Sequence, residues 1–245
     1  MVRLAKCTSP MATPALQLRT MFILDDRGRI TSTREPGGGR GPLFCVIRGV
    51  DTCAWAARAD LPENVTDELE SIARLEPPTT NFRDPPIGAA DYLSILADRV
   101  EPECDASAKR SRSDGPAFAF PAGLVQPADV VVIEHEALLA HHFAGWVPGE
   151  IAAGRSPVLA IVEGGLPVSV CFCARKSSVA AEAGVDTAHA WRGRGFGSRV
   201  VTAWALAVQA SGRIPLYSTA WTNSASCAVA HKLGLTTYAS DWSLY

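Results

Sequence analysis

VAAEAGVDTAHAWRGRGFGSR, residues 179–199, reads as a strand, a short connector, a glycine-rich turn and the first residues of a helix. Residues 179–187 are small or β-branched and lack proline, which favours extended chain. Alternation sets Val179, Ala181, Ala183, Val185 and Thr187 on one face and Glu182 and Asp186 on the other. After the turn, SRVVTAWALAVQASG places apolar residues at 200, 204, 207 and 208, a helical stripe that stops at Gly212. Gly193, Gly195 and Gly197 at the helix start let backbone N–H groups gather round one object without Cβ interference. Unpaired N–H groups and the positive helix end make that object an anion. Arg192, Arg194 and Arg199 add charge, and the sequence puts no acid beside them, so a phosphate is expected here.

Two common phosphate readings fail on a missing part. A P-loop needs GxxxxGK[ST], and no lysine lies between Lys176 and Lys232. A dinucleotide fingerprint needs GxGxxG with an acidic residue about 20 positions on. Here the spacing is GxGxG, and no acid lies between Asp186 and Asp241.

A third reading is a resemblance. Arg192-x-x-Gly195-x-Gly197 is similar to the R/Q-x-x-G-x-G/A motif of the GNAT superfamily of acyl-CoA-dependent N-acyltransferases. Downstream, Asn223 opens NSASCAVAHKLGL, which resembles the N-x-x-A-x-x-x-Y-x-K-x-G-F helix ending of the same family. The resemblance implies an α+β domain whose central strands, 179–187 and 214–220, splay so that pantetheine lies between them. It implies acetyl-CoA as co-substrate. Val185, Asp186 and Thr187 would meet pantetheine. The amides of Gly193, Arg194, Gly195, Phe196, Gly197 and Ser198 would hold the pyrophosphate, beside Arg192. Asn223 is read first as a helix cap and, by resemblance, as a coenzyme contact.

The resemblance also implies a glutamate that takes a proton from the amine. Glu182 is the candidate, against the plainer reading of an exposed strand acid. Family members carry that glutamate one residue farther from the phosphate loop, so alternation turns Glu182 away from Val185 and Thr187. The tyrosine that protonates the leaving thiolate should fall where this chain has Ala230. Tyr217, on the neighbouring strand, and His231 are the possible substitutes, against purely structural roles for both.

The rest of the chain bounds these readings. With 23 basic and 25 acidic residues and 47% apolar residues, neither a nucleic-acid partner nor a membrane span is expected. Residues 1–24 carry Arg3, Lys6 and Arg19 and no acid, yet Pro10 and Pro14 interrupt the apolar run a secretory signal needs. Met11 and Met21 are alternative starts, with the residues upstream read as an unstructured extension. Residues 31–42 (TSTREPGGGRGP) read as a flexible connector or hairpin tip, and 101–116 as a linker. Between them, LFCVIRG reads as a strand, and ENVTDELESIARL and DYLSILADRV as helices, with no recognisable chemistry. After the linker, AFAF and DVVVI read as strands, EHEALLAHHFAGWVPGEIAAG as helix–turn–helix, and VLAIVE–GG–PVSVCFCA as a hairpin.

His135-Glu136 begins like HExxH, but position 139 is Leu, so no metal site is expected. His189, ahead of the phosphate loop, reads as a loop residue that could line the site. Seven cysteines without a CxxC read as buried thiols of a reducing, cytoplasmic compartment. No GxSxG elbow supports covalent catalysis. The expected organisation is a flexible segment over 1–42, a region of unknown role over 43–115 and a GNAT-like domain over 116–245. The expected reaction is direct acetyl transfer from acetyl-CoA to the primary amine of a small molecule or peptide. A non-catalytic acyl-CoA-binding or sensing module is the alternative, and a nucleotide-binding protein a weaker third.

Overall fold

The computed structural model describes residues 11–99 and 111–245. Helix α1 (Pro14–Met21) leads into a hairpin of β1 (Phe22–Leu24) and β2 (Ile30–Thr33), followed by β3 (Phe44–Gly49), β4 (Cys53–Ala57), α2 (Glu63–Ala73) and α3 (Ala89–Arg99). Then come β5 (Arg112–Ala119), β6 (Val131–Val132), β7 (Leu159–Glu163), β8 (Leu166–Lys176) and β9 (Ala180–Thr187). The chain continues through α4 (Phe196–Ala210), β10 (Ile214–Ser218), α5 (Ser224–Lys232) and β11 (Thr236–Leu244). β1 and β2 pair with each other. The other nine strands form one mixed sheet in the order β4-β3-β11-β5-β10-β9-β8-β7-β6. β9 and β10 run parallel, and the remaining neighbours are antiparallel. This is the α+β class that the sequence implies.

Period decides which face each element buries. In α4, Val200, Val201, Trp204, Ala205 and Val208 pack with Cys171, Cys173, Ala181, Ala183 and Tyr217 of the sheet. In α2, Val65, Leu69 and Ala73 recur at helical spacing and meet Tyr92 and Leu96 of α3 over Phe44, Val46, Trp242 and Leu244. The register carries Trp242 opposite Asp114, two pleats from Phe118, so α2, α3 and α4 share one side of the sheet. The other side belongs to α1. Thr13 caps it, its Oγ1 accepting from the Leu16 amide at 3.2 Å. Leu18 and Met21 pack there with Phe22, Ile30, Cys45 and Ile47.

Several boundaries differ from the sequence reading. Residues 14–33 of the supposed flexible segment are helix and hairpin, because Leu18, Met21, Phe22 and Ile30 bury apolar surface that the polar composition of 31–42 concealed. Residues 43–115 are no separate body: β3 pairs with β11 from Phe44↔Leu244 to Gly49↔Ala239. The supposed linker over 101–116 gives way to β5 from Arg112; the rest of it, to residue 110, lies outside the described residues. Residues 134–154 hold only a 3₁₀ turn (Glu136–His141) and a short irregular turn (Ile151–Arg155), not two helices. Pro148 and the glycines at 145, 149 and 154 break that segment.

Joining both halves in one sheet has a measurable consequence. A fragment starting at residue 116 lacks β3, β4 and half of β5, and exposes Trp242 and Leu244. We expect it to be insoluble or to unfold without cooperativity. A soluble fragment with a sharp thermal transition would show that the C-terminal part stands alone.

Candidate active site

The feature that creates a cavity is a strand pair that stops early. β9 and β10 are bonded only at Ile214↔Ala180, Pro215↔Ala181 and Leu216↔Glu182. β9 runs on to Thr187 while its other edge stays paired with β8 as far as Thr187↔Ser169. The edge of residues 183–187 that faces β10 is therefore open. Beyond β10 the chain turns away to β5: Thr219 N–H donates to Pro116 O at 3.3 Å and Trp221 N–H to Asp114 O at 3.2 Å. Gly115 permits this turn, since a Cβ there would lie 1.8 Å from Thr219 O.

The cavity in this wedge has a volume of about 750 Å³. One wall is β9, through Ala183, Val185, Asp186 and Thr187. The opposite wall is Tyr217, Ser218 and Thr219, with Asn223, Ser226 and Val229 from α5. The glycine turn closes one end, with Arg192, Gly193, Gly195, Phe196, Gly197 and Ser198 in the lining. Gly195 is the N-cap of α4 at φ 77°, a left-handed position where a side chain is strained. Space is also short: a Cβ at 195 would lie 2.6 Å from Lys232 Nζ. The first amides of α4 and the Lys232 ammonium thus face one region of space, a positive cradle at a helix start.

The arginines divide. Arg192 Nε donates to Thr187 O at 2.9 Å, and its guanidinium lies 3.9 Å from Asp186, so it steadies the corner between strand and loop. Arg194 Nη2 donates to Ala190 O at 3.2 Å and lies outside the lining. Arg199 does not serve the cradle: it pairs with Asp129 at 2.7 Å and lies over the Phe196 ring. The expectation of three arginines without acids is corrected at Arg192 and Arg199, because Asp129 is remote in sequence and Asp186 was read as pointing elsewhere. Asn223 caps α5, its Oδ1 accepting from the Ser226 amide at 3.1 Å, and also lines the cavity.

Tyr217 and Glu182 lie on opposite faces of the splayed strands. Tyr217 projects to the α4 side, where Oη and Ser226 Oγ are 2.6 Å apart and both residues line the cavity. Burial pushes its phenol up to about 12, against the opposing pull of Ser226. It remains a proton donor at any physiological pH. Ala230 is fully buried in the α4 core. Glu182 is 2% exposed and absent from the cavity lining. Arg175 Nη1 donates to it at 3.1 Å, and Ser218 Oγ donates to its other oxygen. The reading of Glu182 as an exposed strand acid is therefore corrected. Alternation does turn it away from Val185, onto the α1 face, and its one link to the cavity is the Ser218 hydroxyl. Arg175 is held in turn by Glu35, at 2.6 Å.

Lining residues that the sequence reading does not single out include Lys232, Ser218 and Ser226. Lys232 stands at the lysine of the helix-ending motif quoted above, so the signal was present. Ser218 and Ser226 carry no local signal; only the fold brings them to the cavity. His189 lies in the connector but outside the lining. Among the described residues no group of three His, Cys, Asp or Glu side chains could hold a metal ion. Cys171 and Cys173 are free, and burial raises both thiols, so neither is a ready thiolate. No described helix is long and apolar enough to cross a membrane.

The family model described as GNAT acetyltransferase matches residues 158–245, so this part of the chain is similar to that family. It takes in β7–β11, α4 and α5, and with them every residue of the cavity lining. A GNAT-family protein from Novosphingobium aromaticivorans is 17% identical over 59% of this chain and 70% of its own, with a TM-score of 0.47. A GCN5-related N-acetyltransferase-like protein from Streptococcus suis is 16% identical over 83% of this chain and 84% of its own, at 0.46. A tandem GNAT protein from the clavulanic acid biosynthesis pathway is 12% identical over 96% and 88%, at 0.44. A search of curated proteins finds no match.

Behind Glu182 a second carboxylate provides a test of this buried network. Asp241 is pushed up to about 7 by burial and by the Glu182 charge, with Asp114 adding and Arg175 opposing. An unfolded chain releases that proton near pH 4. Between about pH 4 and 7 the folded protein holds one proton more than the unfolded chain, so stability falls as pH rises through that window and levels off above it. Asp241→Asn should raise the Tm by several degrees at pH 8 and by little at pH 4. Equal Tm differences at both pH values would show that Asp241 is not a buried, proton-holding acid.

Proposed function

We propose that this chain is an N-acetyltransferase of the cytoplasm that moves an acetyl group from acetyl-CoA to a primary amine by direct transfer. The observation that carries the reading is the open edge of residues 183–187, ending at a glycine-lined helix start topped by a lysine. A long polar ligand with a diphosphate at one end and an amide chain at the other fits both halves. Val185, Asp186 and Thr187 would pair with the amide chain as an added strand does. The amides of residues 193–198, with Lys232, would hold the diphosphate, and Asn223 would line the path between. These donors are fixed by the fold before a ligand arrives, which lowers the cost of orienting it.

Bound there, acetyl-CoA supplies an activated thioester; the chain's own groups do the rest. Backbone N–H groups where β9 and β10 part would polarise the carbonyl. The amine must be neutral to attack. Ser218 lines the cavity and its Oγ donates to Glu182, so the amine proton would pass to that hydroxyl as the hydroxyl proton passes to the carboxylate. Tyr217, protonated and paired with Ser226, would return a proton to the departing sulfur. It would replace, from a strand, the tyrosine absent at Ala230.

The second reading is a non-catalytic acyl-CoA-binding or sensing module. It is favoured by one observation: Arg175 and Ser218 engage both oxygens of Glu182, leaving no carboxylate oxygen directly facing the cavity. Acceptor amines, small-molecule or peptide, are proposed on the cavity's size alone.

Calorimetry with coenzyme A addresses binding. Gly195→Asp should lower affinity at least tenfold in a protein that is folded by circular dichroism, because aspartate is among the residues least strained in the left-handed region and brings a carboxylate into the cradle. Unchanged affinity would mean the cradle lies elsewhere. Thiol release from acetyl-CoA across an amine panel separates enzyme from sensor; binding without release for every amine favours the sensor. In an active enzyme, Tyr217→Phe should lower kcat about tenfold or more with coenzyme affinity unchanged. An unchanged kcat would leave Tyr217 a packing residue.

A further inference from the structure

A second, smaller pocket lies on the α2–α5 side of the sheet, apart from the wedge. Its volume is about 90 Å³, the room of about three waters. Phe82–Pro86, the loop between α2 and α3, forms one side; Arg48 of β3, the start of β5 and Trp221 form the rest. Three arginines converge here: Arg48, Arg83 and Arg112. Arg48 is only 4% exposed, and its guanidinium donates to the Asp84 backbone carbonyl. Among the described residues no carboxylate forms an ion pair with it. A guanidinium so nearly buried without a counter-charge is costly unless an anion joins it. Arg83 is exposed at the rim and lies over the Trp221 ring, 4.4 Å from its centroid. Trp242, also in the lining, has its indole N–H buried with no acceptor.

Three acids share this lining: Asp84, Asp114 and Asp241. Asp84 accepts from Asn81 Nδ2 at 2.7 Å. Asp114 pairs with Arg112 at 3.6 Å. Asp241 sits opposite Ile47 in the register, and burial beside Glu182 pushes its acid up to about 7. Among the described residues neither Arg48 nor Arg83 forms an ion pair with these acids, so their guanidiniums are donors left for an incoming anion.

We infer that this pocket binds a small oxyanion, a phosphate or carboxylate group, between Arg48 and Arg83 beside Trp221. Forked guanidinium donors match the paired oxygens of either group. A cavity of about 90 Å³ has room for one such group. The site belongs to neither half alone, since Arg48 and Arg83 come from the N-terminal region and Trp221 from the loop whose ends, Thr219 and Asn223, line the larger cavity.

The test uses the full chain. Inorganic phosphate and, separately, acetate are titrated at constant ionic strength set with chloride, with and without saturating coenzyme A, and binding is read by calorimetry and tryptophan fluorescence. We expect saturable binding of at least one anion that persists with coenzyme A present and weakens at least tenfold in Arg83→Ala. Phosphate binding alone points to a phosphoryl ligand, acetate binding alone to a carboxylate; either supports the site. Arg48→Gln should abolish binding, and if that variant fails to fold, the exposed Arg83→Ala carries the test. No saturable binding of either anion, binding indifferent to Arg83→Ala, or complete displacement by coenzyme A would overturn the proposal. Failure of coenzyme A itself to bind would bear on the larger cavity and leave the Arg83-dependent signal readable.

Discussion

Two parallel strands that stop bonding after Glu182 and Leu216 set the geometry of everything around them. A sheet interior cannot leave a row of amides and carbonyls unpaired at no cost. Here the exposed row forms the wall of a cavity open to solvent, where water or a ligand can satisfy it. The separation needs help on both sides. β8 holds β9 straight through Thr187, while Gly115 lets the chain after β10 lie directly on β5. The wedge is thus held from outside by the continuity of the sheet.

The two faces of the wedge hold different chemistry because alternation sorts it. Tyr217 falls on the α4 side with Ser226; Glu182 and Ser218 fall on the α1 side with Arg175. A chain of polar contacts runs from Glu35 through Arg175 and Glu182 to Ser218. The N-terminal segment therefore takes part in the electrostatics of the sheet centre, although it lies outside the residues matched by the family model.

Much of the wedge could be read in the chain. The turn at Arg192–Gly197, the stripe at 200, 204 and 208 and the cap at Asn223 are local patterns, and each occupies the place its pattern implied. The hairpin β7–β8 was equally plain. What stayed hidden depended on distant partners. Nothing around Asp129 marks it as the counter-ion of Arg199, and nothing around Ser218 marks it as a neighbour of Glu182. The N-terminal region misled for a related reason: the glycines and prolines at 36–42 suggested a tether, while the residues that fix α1 and β2, Leu18 and Ile30, find their neighbours in β3. The helices expected over 134–154 are broken by Pro148 and the glycines at 145, 149 and 154, which outweigh the few apolar residues there.

β11 lies between β3 and β5, although it follows both in the sequence. During synthesis the hairpin β3–β4 emerges well before the strand that must separate it from β5, so the middle of the sheet has to be held open or form late. Closure is then a zipper of distant segments, with the long sequence separations that slow folding. A chain stalled before Thr236 would carry two half-sheets with bare edges, the state in which a molecule of this design is most exposed to aggregation.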